Sequence, residues 1–331
     1  KTQRFFRPKS PEPVADLPVD LDPEISFRNG GKFFSKKRNE FYRADPNVIS
    51  SQQNNFFNHK LFDEKKQDKD FFSFGEIGFG LGLNFIIILK NWSKVFGTIK
   101  RLHYFAIESF PITKDNLRIA QQRFPGLANE YQELIDKYPP IHAGFHRIWL
   151  KSGAVALTLI FEPTWRGISQ IEGRFDAWFL SQFSNEAAPD HWSPGIFSEI
   201  SRLSRKDTLI CSSNTEPYVD DELKKIGYEV VGCSGDPSPA KVKIGRSWMD
   251  AGITLIPPWF APPTPIEPKS RIGIFGGGVA GASMARALHR RGLDAEIIDA
   301  HLFNEGASIL PVALISPTLT EKANELSNFY D

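Results

Sequence analysis

The stretch Phe71-Phe72-Ser73-Phe74-Gly75-Glu76-Ile77-Gly78-Phe79-Gly80-Leu81-Gly82-Leu83-Asn84-Phe85 decides the fold. Phe71–Ile77 is a short apolar run rich in aromatic residues, the pattern of a buried strand. Gly78, Gly80 and Gly82 then fall at every second position. Glycine there permits backbone conformations closed to other residues. An apolar segment follows through Leu89 and reads as a helix. Strand, glycine turn and helix in that order start a nucleotide-binding α/β unit.

The pattern continues outward from this unit. Leu102–Ile107, Ala154–Phe161, Phe175–Leu180 and Thr208–Cys211 read as further strands. Lys114–Arg123 reads as an amphipathic helix with Thr113 as its N-cap, and Ile196–Leu203 as another helix. Such alternation predicts a doubly wound α/β sheet over residues 70–256. Residues 1–69 form a poorly periodic lead-in expected to pack on this domain. Pro8, Pro11, Pro13 and Pro18 break its first part, and Gln52–Asn55 and Lys65–Lys69 read as solvated loop. A β-hairpin over Ile25–Phe34, turning at Asn29-Gly30-Gly31, is the one element expected there. Six prolines between Pro257 and Pro268 exclude helix and central strand. Residues 257–270 are therefore a semi-rigid linker and a domain boundary.

Beyond the linker a second unit begins. Arg271–Phe275 is a strand, Val279–Arg291 a helix and Ala295–Ile298 a second strand. Between the first two, Gly276, Gly278 and Gly281 fit G-x-G-x-x-G. The glycines serve the tight turn, the approach of backbone to a pyrophosphate, and close helix–strand packing. The helix N-terminus offers unpaired N–H groups to phosphates. Asp299 ends the second strand. A carboxylate there accepts hydrogen bonds from ribose hydroxyls, which favours FAD or NAD over NADP. Residues 271–331 hold about one supersecondary unit of a Rossmann-type domain, so the chain is expected to stop inside it.

Composition bounds the rest. Of 331 residues, 41% are hydrophobic and 24% charged, and the net charge is +1. The balance is globular, and the charge supplies no bulk basic field for nucleic acid. Two cysteines, Cys211 and Cys233, make neither a disulfide framework nor a metal cluster. With no signal peptide visible, a reducing, cytoplasmic compartment is expected. The longest apolar stretch, Leu83–Leu89, contains Asn84 and is too short to span a bilayer, so no membrane association is expected.

The first turn, with its E-x-G-x-G-x-G spacing, resembles that of class I methyltransferases. The resemblance implies that Glu76, Gly78, Gly80, Gly82 and Asn84 form a loop under the methionine part of S-adenosylmethionine. Glu108, at the end of the second strand, would bind both ribose hydroxyls. Taken with the second turn, the chain resembles the bacterial bifunctional enzyme of tRNA 5-methylaminomethyl-2-thiouridine biosynthesis. The matching stretches are GEIGFGLGLNF (75–85), LHYFAIESFPITKDNL (102–117), FDAWFLSQFSNEAAPDHWSPGIFSEISRLSR (175–205), RIGIFGGGVAGASMARALHRRGLDAEIID (271–299) and EGASILPVALISP (305–317). This resemblance implies a class I methyltransferase-like domain followed by the start of an FAD-dependent oxidoreductase domain. The substrate would be the wobble uridine of a tRNA anticodon loop. The FAD half would remove a carboxymethyl group from its side-chain nitrogen, and the methyltransferase half would methylate the resulting amine.

The sequence departs from that family near the expected chemistry. Ser181-Gln182-Phe183 replaces an Asp-Gly-Phe triplet whose acid would orient the amine and take its proton. Glu162 lies one place before another family acid, and Pro163 fills that position. Asn214–Tyr218 replaces a Thr-Ser-Ala-Gly-Phe-type stretch. Ser234–Arg246 replaces a compact basic run, and Ile309-Leu310-Pro311 a polar one. Two readings follow: an active enzyme that uses Ser181, Glu162 or Asp190 instead, or a methyltransferase-like module that binds tRNA or a partner without catalysing. His142 and His146 read as loop histidines, Trp178 and Trp192 as core, and Lys36–Arg38, Arg202 and Arg205 as solvated charged faces.

Overall fold

The computed structural model describes residues 20–58, 69–91, 101–180, 183–212, 216–232, 243–248 and 270–300, besides Phe62, Glu64, Lys94, Phe96, Gly97 and Asn214. The chain divides into two compact units, Lys1–Thr254 and Leu255–Asp331. The linker prolines, Ser181, Gln182, Cys233 and residues 301–331 lie outside the described residues.

The expected hairpin is present: strands β1 (Ile25–Arg28) and β2 (Lys32–Ser35) pair antiparallel around Asn29-Gly30-Gly31, where all three residues have positive φ. A third short strand, β3 (Glu40–Phe41), pairs with β2. Helix α1 (Pro46–Phe57) follows, so Gln52–Asn55 belong to a helix and not to a solvated loop. The reason is spacing: Ile49, Gln53, Phe56 and Phe57 form one buried helical face, in which a glutamine masks the apolar periodicity. Gln53 is accommodated because its amide donates to the Asn84 carbonyl oxygen at 2.8 Å.

Strand β4 (Phe71–Ile77) then leads through the glycine turn into α2 (Leu83–Lys90), buried from Leu83 to Leu89. Three successive isoleucines suit a strand by propensity, but burial on all sides favours the helix. After it come β5 (Arg101–Ile107), α3 (Lys114–Arg123), α4 (Ala128–Lys137), β6 (Gly144–Leu150), β7 (Val155–Phe161), α5 (Thr164–Ser169), β8 (Phe175–Phe179), α6 (Pro194–Arg202), β9 (Ser204–Ser212), α7 (Pro217–Lys225), β10 (Tyr228–Gly232) and β11 (Lys243–Ser247). Thr113 caps α3 as expected. Its hydroxyl accepts from the Asn116 N–H at 3.2 Å.

Eight strands form one sheet in the order β10-β11-β9-β8-β4-β5-β7-β6. From β9 through β7 the neighbours run parallel; β6 and β11 pair antiparallel with their inner neighbours. The sheet is therefore mixed and not purely parallel. Alternating side chains divide the core in two: Leu102, Tyr104 and Ala106 enter one cluster with Phe33, Tyr42 and Phe56, while Ile107 enters another with Trp178 and Trp192. The N-terminal hairpin and α1 are thus part of the first unit's core. Among the described residues no helix is long and apolar enough to cross a membrane.

In the second unit, β12 (Ile272–Phe275) and β13 (Ala295–Ile298) pair parallel across helix α8 (Val279–Arg290).

Candidate functional site

Strand β4 is flanked by β5 on one side and β8 on the other. The strand order therefore reverses at β4, and ligands of such sheets bind in the crevice beyond the strands' carboxyl ends. Gly78–Gly82 follow β4, Glu108 follows β5, Glu162 follows β7, and Leu180 leads out of β8.

The turn is built from backbone that only glycine adopts easily. Gly78, Gly80 and Gly82 have φ of 80, 52 and 70°. Gly78 donates to the Ile107 carbonyl oxygen at 2.8 Å, and Leu81 accepts from the Tyr131 hydroxyl of α4 at 2.9 Å. A Cβ at Gly80 would stand 3.3 Å from the Tyr42 ring, and one at Gly82 2.8 Å from the Phe79 ring. The turn is thus pressed between the hairpin segment, α4 and its own phenylalanine, ahead of the helix N-terminus.

Two buried carboxyl groups brace it. Glu76 Oε1 accepts from Asn84 Nδ2 and Glu76 Oε2 from the Tyr104 hydroxyl, each at 2.8 Å. Burial pushes the Glu76 pKa up to about 8; these two hydrogen bonds oppose the rise and the charge of Glu108 adds to it. Glu76 and Asn84 therefore tie strand, turn and helix together below the crevice. Glu108 Oε2 accepts from the Gly80 N–H at 2.7 Å, and Oε1 from the Phe110 N–H at 2.9 Å. Burial raises the Glu108 pKa, against the two N–H donors and Arg38. A buried acid, a left-handed glycine turn and a helix N-terminus thus meet at one place beyond the strand ends.

The hairpin supplies residues whose sequence reads as solvated. Arg38 pairs with Asp190 through two guanidinium nitrogens, Nη2–Oδ2 being 3.0 Å, and its Nη2 lies 3.0 Å from His191 Nε2. Its side chain is only 9% exposed. Lys37 pairs with Asp20 and Glu24. Burial works to raise the Asp190 pKa, but Arg38, His191 and Thr164 outweigh it and hold the carboxyl below its usual range. The buried His191 is pushed down to about 4 by desolvation, with Arg38 adding to the effect and Asp190 opposing it. The Arg38–Asp190 contact joins residues 152 apart, and no local pattern announces it.

The remaining sequence expectations divide between site and scaffold. Glu162 is buried; among the described residues its Oε2 has no hydrogen-bond partner, and Arg166 Nε lies 3.4 Å away. Two strands, β5 and β4, separate β7 from β8. At the usual strand spacing Glu162 stands roughly 14 Å across the sheet from the end of β8. The topology does not bring Glu162 to the position that Ser181 follows. Trp178 and Trp192 are core residues, their indoles donating to Ser204 Oγ at 3.2 Å and the Phe183 carbonyl oxygen at 3.0 Å. His142 and His146 lie beside and on the edge strand β6, His146 Nε2 lying 2.8 Å from the His142 carbonyl oxygen. Arg202 and Arg205 are not solvated faces. Arg202 bonds Glu199 and the Ile168 and Ile171 carbonyl oxygens, and Arg205 pairs with the buried Asp176.

In the second unit Gly276 has φ of 99°, and a Cβ at Gly281 would meet the Gly276 carbonyl oxygen at 1.9 Å. Helix and turn therefore approach each other closely at Gly281. Asp299 accepts from the Gly277 N–H at the mouth of the turn.

Strand order, glycine turn and Glu108 define a class I S-adenosylmethionine methyltransferase-like α/β fold with a mixed central sheet. The sequence profile of a family described as S-adenosyl-L-methionine-dependent methyltransferase matches residues 125–237. The chain is 35% identical over 258 residues to the tRNA 5-methylaminomethyl-2-thiouridine biosynthesis bifunctional protein MnmC of Magnetococcus marinus, covering 77% of this chain and 38% of that protein. It is 27% identical over 317 residues to the protein of the same name from Marinomonas sp., covering 93% and 47%. The chain thus spans less than half the length of these relatives. The crystal structure of MNMC2 from Aquifex aeolicus matches with a TM-score of 0.51 and 18% identity, over 67% of this chain and 69% of that one; at this identity the likeness concerns the fold.

Proposed function

We propose that the first unit binds S-adenosylmethionine and methylates the amine of an aminomethyl-uridine at the wobble position of tRNA, in the cytoplasm. One observation carries this reading: the Glu108–Gly80 hydrogen bond, which joins a buried acid to a left-handed glycine turn at the sheet's switch point. S-adenosylmethionine supplies an electrophilic methyl group when bound. Gly78, Gly80, Gly82 and the start of α2 cradle its amino-acid end, and Glu108 holds the ribose. Glu76 and Asn84 act from beneath by fixing the turn. Ser181, which follows Leu180 directly, orients the acceptor nitrogen through its hydroxyl. Anticodon bases splay out of their loop and reach such a crevice. The second unit begins an FAD-dependent oxidoreductase: Gly276, Gly278 and Gly281 pack against the cofactor's pyrophosphate and Asp299 against a ribose. Its reaction is removal of the carboxymethyl group that precedes methylation.

The test is transfer of labelled methyl from S-adenosylmethionine to tRNA bearing the aminomethyl group, with the cofactor's affinity measured in parallel by calorimetry. Transfer supports the enzyme. Tight cofactor or tRNA binding without transfer supports instead a module that docks tRNA for the oxidoreductase half, the reading favoured by the missing acid at residue 181. Absence of cofactor binding sinks the methyltransferase, and absence of tRNA binding as well sinks the docking module. Flavin absorbance of the protein purified from its host checks the FAD assignment.

A further inference from the structure

The segment Lys37–Tyr42 touches three loops that end at the crevice. Tyr42 packs edge-on against Phe183 at 5.2 Å, and its ring faces Gly80 of the cofactor turn. Lys37 and Arg38 stand over the Phe110 ring after β5, at 5.9 and 5.0 Å. The third loop, Phe183–Trp192 after β8, receives most of the contacts. Glu40 Oε2 accepts from the Ser184 N–H at 3.0 Å and from its hydroxyl at 3.1 Å. Arg38 grips Asp190 at the loop's far end, and Asp190 in turn accepts from the Thr164 hydroxyl at 3.2 Å. The base of the loop is closed by the Trp192 indole on the Phe183 carbonyl oxygen at 3.0 Å.

The loop also closes turns on itself, the Ala188 N–H donating to the Ser184 carbonyl oxygen and the His191 N–H to the Ala188 carbonyl oxygen, each at 3.0 Å, so the hairpin ties set where this turned loop sits. Of its apolar residues, Phe183, Ala188 and Trp192 are buried, and all three belong to the base or one flank. Its closing end at Asp190 is held by the hairpin and by Thr164. An arginine fork fixes a carboxylate in both distance and plane, which a lysine does not. From these contacts, and resting on the methyltransferase reading above, we propose that Arg38 is a positioning residue of the transfer step. Through Asp190 it fixes the Phe183–Trp192 loop, so that the acceptor amine meets a preset wall. The hairpin is then a wall of the site, and its Arg38 acts through the loop without touching the reacting atoms.

The experiment compares Arg38→Ala, Arg38→Lys, Asp190→Ala and the double Ala variant, with Glu40→Gln as a milder lesion at the loop's other tie. Hydrogen exchange of residues 184–192 reads loop order, single-turnover methyl transfer reads the rate, and calorimetry reads S-adenosylmethionine affinity. Arg38→Ala is expected to lose protection in 184–192 and to slow transfer about 10–100-fold, the scale on which a small misplacement acts. Cofactor affinity should stay within about threefold, the double variant should be no slower than Arg38→Ala, and Arg38→Lys should recover only part of the rate. Unchanged protection overturns the proposal whatever the activity. Lost protection with unchanged transfer rate overturns the positioning role. Wild-type protein that binds no S-adenosylmethionine or transfers no methyl overturns the parent reading instead. If Arg38→Ala fails to fold, Glu40→Gln carries the same test through Ser184.

Discussion

The Gly80 backbone N–H donates to Glu108 Oε2 at 2.7 Å, so the turn after the first central strand is fastened to the acid after the second. The acid that would hold a ribose is thus preset by the turn that would hold the other end of the same ligand. Glu108→Ala removes both functions. A hydrogen bond to a charged group contributes about 1.5–3 kcal/mol, so S-adenosylmethionine affinity should fall about 10–100-fold in calorimetry. Glu108→Gln keeps one acceptor oxygen and should fall between. Wild-type affinity in Glu108→Ala would remove this residue from the site.

Two buried groups impose opposite pH trends on stability. Glu76, raised from 4.5 to about 8, keeps its proton in the folded chain while the unfolded chain loses it. Its contribution is complete below about 4.5 and is lost as pH rises through 8. His191, lowered from 6.5 to about 4, stays neutral while the unfolded chain takes up a proton. Its contribution is present above 6.5 and lost as pH falls toward 4. The two slopes offset each other between about 4.5 and 6.5. From 6.5 to 8 only Glu76 of these two groups contributes, with a limiting slope of about 1.4 kcal/mol per pH unit. Urea unfolding of Glu76→Gln should show a shallower decline, since a glutamine does not titrate and keeps an acceptor oxygen at this place. A decline as steep as in wild type would place the proton elsewhere.

Much of this architecture is written locally, and the remainder is not. The strand–turn–helix at Phe71–Leu89, the Thr113 cap and the Asn29–Gly31 hairpin turn each follow from a few adjacent residues, and each is found in the structure. Helix α1 is hidden because a polar residue, Gln53, sits on its buried face and is satisfied by a carbonyl 31 residues away. Arg38 is hidden for the same reason at longer range. A charged run looks solvated until a partner from another loop arrives. Spacing likewise places Glu76 in the cofactor motif, but whether its carboxylate faces the ligand or the core depends on Tyr104 in the next strand. Glu162 shows another limit: spacing sets it at the end of β7, and only the strand order tells that two strands lie between β7 and β8.

Gly80→Ala tests the turn without touching a charge. Gly80 has φ of 52°, and a new Cβ would crowd the Tyr42 ring at 3.3 Å. An L-residue in that backbone region costs about 1–2 kcal/mol, and thermal unfolding should shift down by that amount. Pushing Tyr42 away, or moving the Gly80 N–H off Glu108, should also weaken S-adenosylmethionine binding by about tenfold or more. A stability loss without any loss of affinity would show that the turn is scaffold only. The paired substitution Gly80→Ala with Tyr42→Ala relieves the crowding but not the backbone strain, so it should recover only part of either loss.

Asp176 provides the contrasting case, a charge cluster that looks functional and lies at the wrong end of the sheet. It is fully buried near the start of β8, accepting from the Ser73 N–H at 2.9 Å, the Ser73 hydroxyl at 3.0 Å and Arg205 Nη2 at 3.1 Å, with Lys69 also paired to it. The crevice is beyond the carboxyl ends of the same strands, so Asp176 cannot reach a ligand there. Asp176→Asn leaves two cations without their counter-charge. Both keep some contact with water, Lys69 being 28% and Arg205 43% exposed. The loss should therefore fall below the roughly 3–5 kcal/mol of a fully buried pair, at about 2–3 kcal/mol. Denaturant unfolding should show this loss while S-adenosylmethionine affinity, measured well below the new midpoint, stays at the wild-type value. An affinity that fell with the stability would mean the two ends of the sheet are coupled, and the separation of scaffold from site drawn from the strand order would not hold.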